Sequence, residues 1–105
     1  MQDRIEVFEQ MLGADPSNTM VMFGLAKEYE KSGDHAKMIA MLENYIAVAE
    51  DEGNAYGVLG NAYLKSGNRE KAIETYQRGI ETSMAHGHPS MAHEYQMTLD
   101  TDLAD

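Results

Sequence analysis

The residues best suited to chemistry sit late in the chain. His86-Gly87-His88 is followed closely by His93, and paired imidazoles with a carboxylate are the beginnings of a zinc site. The spacing argues against one. The two histidines flank a glycine at a break between helical patterns, where side chains diverge, and neither a cysteine nor a well-spaced carboxylate completes a ligand set. The run Glu50-Asp51-Glu52 has the charge to chelate a cation. Directly ahead of a helical pattern, it reads instead as negative charge at a helix start, where free backbone amides favour it. His35 follows a helix-capping residue and reads as packing. The chain has no nucleophile elbow, phosphate-binding loop or dinucleotide fingerprint, and with no cysteine it has neither thiol chemistry nor disulfides. The expectation is a non-enzymatic protein with no metal and no cofactor.

Function must then lie in the surface that the folded elements present. The 105 residues suffice for one domain, and 43% hydrophobic residues supply a core. Eighteen acidic against eight basic residues give a formal charge of −10. Such a surface is soluble and repels phosphate backbones and anionic lipid, so no nucleic-acid or membrane partner is expected. The start, Met1 to Glu6, lacks the basic segment and apolar run of a secretory signal, and no stretch approaches the ~20 apolar residues that span a bilayer. A cytoplasmic location is the default expectation.

The elements repeat. Laid over itself at an offset of 34 residues, Thr19–Glu52 matches Gly53–His86 without a gap. The identities are Leu25/Leu59, Tyr29/Tyr63, Lys31/Lys65, Ser32/Ser66, Gly33/Gly67, Lys37/Lys71, Ile39/Ile73 and Ile46/Ile80, against roughly two expected by chance from ordinary residue usage. Each unit reads helix–turn–helix. Gly33 and Gly67 suit the left-handed conformation that closes a helix, and Asp34 and Asn68 then cap the next. Units of this kind cannot bury their apolar faces alone and gain stability by stacking.

Residues at these positions resemble the tetratricopeptide repeat, whose period is 34. In the second unit Tyr56, Leu59, Gly60 and Tyr63 match its first helix, and Ala72, Tyr76 and Gly79 its second. Met84 stands in place of the closing proline. The first unit matches at Leu25, Ala26, Tyr29 and Leu42, with Met22 and Met38 as substitutes and Tyr45 and Glu50 as departures. The resemblance implies an all-α stack of helical hairpins in one domain. Residues 1–16 form an N-terminal half-repeat, with apolar Ile5, Phe8, Met11 and Leu12 on a helix over 3–12. Residues 19–52 and 53–86 are full repeats. Residues 88–101 form a capping helix with Ala92, Tyr95 and Leu99 inward, fitting the register after a slip of two. Met22, Met38 and Met84 are expected as core filling, and 100–105 as a frayed end. The whole chain looks like short stand-alone repeat proteins of bacterial genomes.

In that family the first helix of each unit lines a concave face that takes a peptide or a partner helix. The matching positions here are Met20, Phe23, Lys27 and Glu30, then Asn54, Gly57, Asn61 and Leu64, with His93 and Met97 from the capping helix. Asn61 resembles the family residue that holds a ligand's backbone, because its amide both donates and accepts. Phe23 and Met20 lie outside the expected core stripe and suggest contact residues, though packing on a neighbouring helix would also use them. Lys27, Lys31 and Lys65 would attract an acidic segment if gathered. Lys31 and Lys65 stand equally well as cations complementing helix ends. The clamp for chaperone tails is incomplete, with Phe23, Lys27 and Val58 at three of its positions. The leading expectation is a protein-binding module whose partner is a peptide or helix. The alternative is self-association through the ends of the stack, including a homodimer through terminal helices.

Overall fold

A computed structural model describes residues 3–103. Among these residues there are six α-helices and no strand: α1 (Arg4–Ala14), α2 (Thr19–Ser32), α3 (His35–Val48), α4 (Asn54–Lys65), α5 (Arg69–Ala85) and α6 (Pro89–Thr101). None of them is long and apolar enough to cross a membrane.

Local chemistry sets the boundaries. Each of four helices opens on a side chain that accepts from a first-turn amide: Asp3 from Glu6 (2.9 Å), Asn18 from Val21 (3.2 Å), Asp34 from Lys37 (3.1 Å) and Asn68 from Lys71 (3.2 Å). These bonds satisfy amides that the helix itself leaves free. Three helices close the same way. Gly33, Gly67 and Gly87 have φ of 78°, 82° and 77°, and the amide after each donates back to Tyr29, Tyr63 and Ser83 carbonyls at 3.0, 2.9 and 2.8 Å. Glycine takes that left-handed turn without a Cβ penalty.

The helices form two compact units, Met1–Glu50 and Asp51–Asp105. In the first, α2 packs on α1 and α3. Its core is Val21, Met22, Leu25, Ala26 and Tyr29 of α2 with Met38 and Leu42 of α3. In the second, α5 packs on α4 and α6, around Leu59, Ala62, Tyr63, Ala72, Tyr76, Ala92 and Tyr95. Close approach of α4 and α5 depends on two small residues. A Cβ on Gly60 would lie 2.7 Å from the Tyr76 ring, and one on Gly79 2.8 Å from Tyr56 Cβ. Both are below any ordinary carbon contact, so these sites exclude larger side chains.

Three expectations need correction. Met84 is not core filling but 57% exposed. Ser83 takes the inward position of the last α5 turn and is fully buried, and one residue further the helix has turned by about 100° toward solvent. The C-terminal end is not frayed across its described residues. α6 continues to Thr101, Leu103 is 4% exposed, and Arg69 donates to the Leu103 carbonyl. One apolar side chain in a polar tail finds a buried seat, and the guanidinium satisfies the carbonyl beside it; residues 104–105 lie outside the described residues. In α1, Ile5, Phe8 and Leu12 are only half-buried and Met11 is exposed, because in this unit α1 packs on α2 through one side alone. That helix also continues past Leu12 through Gly13 to Ala14.

Candidate partner-binding faces

The first unit presents the outer side of α2. Met20 is 85% exposed. Phe23, one turn on, is half-buried, its ring tilted against that of Tyr45 on α3 at a centroid separation of 5.2 Å. Thr19, Met20, Phe23, Gly24 and Tyr45 together line an open, largely apolar depression of about 370 Å³. Lys27 lies beyond it, its ammonium 5.5 Å from the Phe23 ring centroid and 3.9 Å from Glu30. Met20, Phe23, Lys27 and Glu30 thus follow one another along α2. Lys31 does not join them. It pairs at 3.3 Å with Glu28, which also takes Arg4 at 3.1 Å.

The second unit is arranged differently. Asn54 and Asn61 are exposed on α4, Leu64 is half-buried, and His93 and Met97 are exposed on α6. Gly57 is not open to a guest. Its amide donates to Tyr95 Oη at 3.2 Å, and a Cβ there would lie 2.7 Å from the Tyr95 ring. The same hydroxyl donates to the Gly53 carbonyl at 2.8 Å and lies 3.3 Å from that of Asn54. Tyr95 is therefore inserted into the first turn of α4. Gly53, at φ 132°, lets the end of α5 come close to the start of α4: a Cβ there would lie 2.3 Å from Ser83 Oγ.

The acidic run acts on backbone. Asp51 Oδ1 accepts from the amides of Gly53 (2.8 Å) and Ala55 (3.0 Å), which anchors the start of α4. Glu52 meets His88 Nε2 at 2.5 Å, and this hydrogen bond holds its carboxyl below the ordinary value. His86 Nδ1 faces the Thr82 carbonyl instead, at 2.9 Å. Burial and a 2.7 Å hydrogen bond to Glu9 push the Tyr29 phenol up to about 12. Burial also raises Tyr76 and Tyr95.

Sequence reasoning missed two participants. Tyr45 forms a wall of the depression, and its signal was present as an aromatic residue where the second repeat carries Gly79. Tyr95 was assigned to an apolar face, but periodicity is blind to what a hydroxyl will meet.

Residues 53–83 match the sequence profile of the tetratricopeptide repeat. Among solved structures, the chain is similar to protein BPP2914 from Bordetella parapertussis, with a TM-score of 0.77 at 23% identity over 95% of this chain and 87% of that one. It is also similar to MamA, with a TM-score of 0.69 at 23% identity, covering 91% of this chain and 65% of MamA. A search of curated proteins finds no significant match. Repeats of this type serve generally as non-catalytic interaction scaffolds. Residues 53–83 are a tetratricopeptide repeat, and the chain as a whole shares its all-helical fold with these two solved structures.

Proposed function

We propose that this protein is a non-enzymatic interaction module that binds a segment of another polypeptide on its first-helix faces. The observation that carries the reading is the apolar depression on α2, because Met20 and Phe23, expected from repeat register as contact residues, both line it. Exposed apolar surface beside polar residues is what a contact site offers. Lys27 and Glu30 supply a polar margin on α2, and Asn54 and Asn61 supply exposed amides on α4. Affinity capture from the native host, comparing the wild type with Met20→Glu plus Asn61→Ala, tests it. Both side chains are exposed, so helicity and melting should hold while capture weakens. Undiminished capture would move the site elsewhere.

A second reading is self-association through α1, favoured by a specific observation. Val7 and Met11 are exposed one turn apart on α1, and Val7 and Phe8 line a hollow of about 210 Å³ with Asp3 and Arg4. Light scattering at micromolar concentration separates the two: a monomer throughout removes this one.

A further inference from the structure

The repeat offset of 34 sets α1 in register with α3 and α5. Arg4, Val7, Phe8 and Met11 fall at the positions of Met38, Met41, Leu42 and Tyr45 on α3, and of Ala72, Thr75, Tyr76 and Gly79 on α5. On the two later helices this strip is covered by the helix that precedes each in its hairpin: α3 packs on α2, and α5 on α4. Met38, Leu42, Ala72, Thr75 and Tyr76 are buried as a result. α1 packs on α2, where Phe8 faces Gly24. The rest of its strip is uncovered. Val7 is 39% and Met11 45% exposed, and Asp3, Arg4, Val7 and Phe8 line a hollow of about 210 Å³. The equivalent strips therefore show what chemistry closes this one: a second helix laid along it.

We propose that the strip is closed by the α1 of a second copy, the two helices running antiparallel about a twofold axis with Met11 of each seated in the other's Val7–Phe8 hollow. The proposal rests on the self-association reading above and deepens it by fixing the mate and its direction. Val7 and Met11 are four residues apart and share one face of α1. A register that sets Val7 of one copy against Met11 of the other then supplies each copy with both a knob and a hole. The same register brings Arg4 beside Ala14 and Asp15 of the other copy. α1 has no basic residue in its last turn and ends on Asp15, so a cation from outside complements that end. Arg4 is 73% exposed and holds Glu28 through Nε at 3.1 Å. A guanidinium carries five donors, which leaves several for a second carboxylate. The α6 of another copy does not suit the strip. At its register, slipped by two, Gln96 stands where the hairpins carry Ala26 and Gly60, and a Cβ on Gly60 would already lie 2.7 Å from the Tyr76 ring. Gln96 is also exposed and bonded to Asp100 at 3.0 Å. A strip that matches itself and not α6 gives a closed dimer rather than a growing row of copies.

The test is analytical ultracentrifugation of the full chain. One helix pair is a small interface, so the range runs up to about 500 µM. The wild type should show a reversible monomer–dimer equilibrium with no larger species. Val7→Glu and Met11→Lys should each weaken it at least about tenfold, because each loses apolar burial and places a charge at the contact. Both sites are exposed in the monomer, so helicity and melting measured in dilute solution should hold for each variant. An equal mixture of the two variants should recover dimer, since the antiparallel register sets the introduced carboxylate against the introduced ammonium. A monomer throughout the range removes the self-association reading together with this proposal and leaves the strip to a helix of a different protein. A dimer that resists both substitutions places the contact off α1 and overturns both as well. Loss of dimer in each variant without recovery on mixing keeps α1 as the interface and overturns the antiparallel pairing alone. Growth to larger species with concentration would show head-to-tail contacts and overturn the closed dimer.

Discussion

Replacing Tyr95 by Phe removes one oxygen atom and leaves the ring in place. In the second unit that oxygen donates to the Gly53 carbonyl at 2.8 Å and accepts from the Gly57 amide at 3.2 Å. Gly53 is buried and Gly57 half-buried under the ring, so water has little room to replace both bonds. An unsatisfied buried polar group costs about 1–3 kcal/mol. With two groups affected and some relaxation of the α4 start, the expected loss is about 2 kcal/mol. For a chain of this length, 1 kcal/mol moves the melting temperature by about 4–8 °C, so the variant should melt roughly 8–16 °C lower. Stacked repeats need not unfold as one, and a global melt averages over both units. Amide hydrogen exchange is therefore the sharper assay. Amides of Tyr56 and Gly57 should lose protection while those of α2 and α3 keep theirs. Gly57→Ala should produce the same local pattern from the opposite side, because its methyl would meet the ring at 2.7 Å. A Tyr95→Phe protein that melts within about 2 °C of the wild type, with the Gly57 amide still protected, would refute the claim that the hydroxyl anchors this turn.

Other outcomes follow from the same packing. Tyr29 titrates near 12 rather than at its usual 10.0, so the stability tied to its neutral form is intact below pH 10 and lost as pH rises toward 12. Ultraviolet titration should show at least three late tyrosines, and Glu9→Gln should bring one of them earlier. Leu103→Ala should destabilise the second unit by about 2–3 kcal/mol, measured by denaturant unfolding, because a buried leucine is truncated; a neutral result would mean the tail is not docked. Met84→Gln should change stability by less than about 0.5 kcal/mol, as expected of an exposed site. His88→Ala should raise the Glu52 carboxyl toward its ordinary value in a side-chain titration, and an unmoved Glu52 would show that the 2.5 Å contact does not persist in solution.

The helical outline was legible because its signals are local. Asp34 and Asn68 cap through their own first turns, Gly33 and Gly67 adopt the conformation that only the chain around them requires, and α5 runs from Arg69 to Ala85 between such signals. The buried stripe of Met22, Leu25, Ala26 and Tyr29 follows from period alone. The site was less legible. Repeat register placed Met20 and Phe23, but not Tyr45, among contact positions, although all three line one depression, and it offered Gly57 as open surface when Tyr95 lies on it. Met84 occupies a family position that ordinarily turns the chain, and nothing in its own residue type says that Ser83 will take the inward place.

By itself, the order of residues determined the number of helices among the described residues, most of their limits, the period of 34, the stripe that turns inward and the absence of thiol chemistry. Each of these depends on groups within a few residues of one another or on residue type alone. Tertiary structure decided that Tyr95 lies over Gly57 and Gly79 and that Phe23 packs its ring against Tyr45. It also decided that Leu103 is docked and Met84 is not. Those outcomes turn on ångström-scale fit between side chains far apart in the chain, and a repeat pattern carries the positions of such side chains without the volumes left between them.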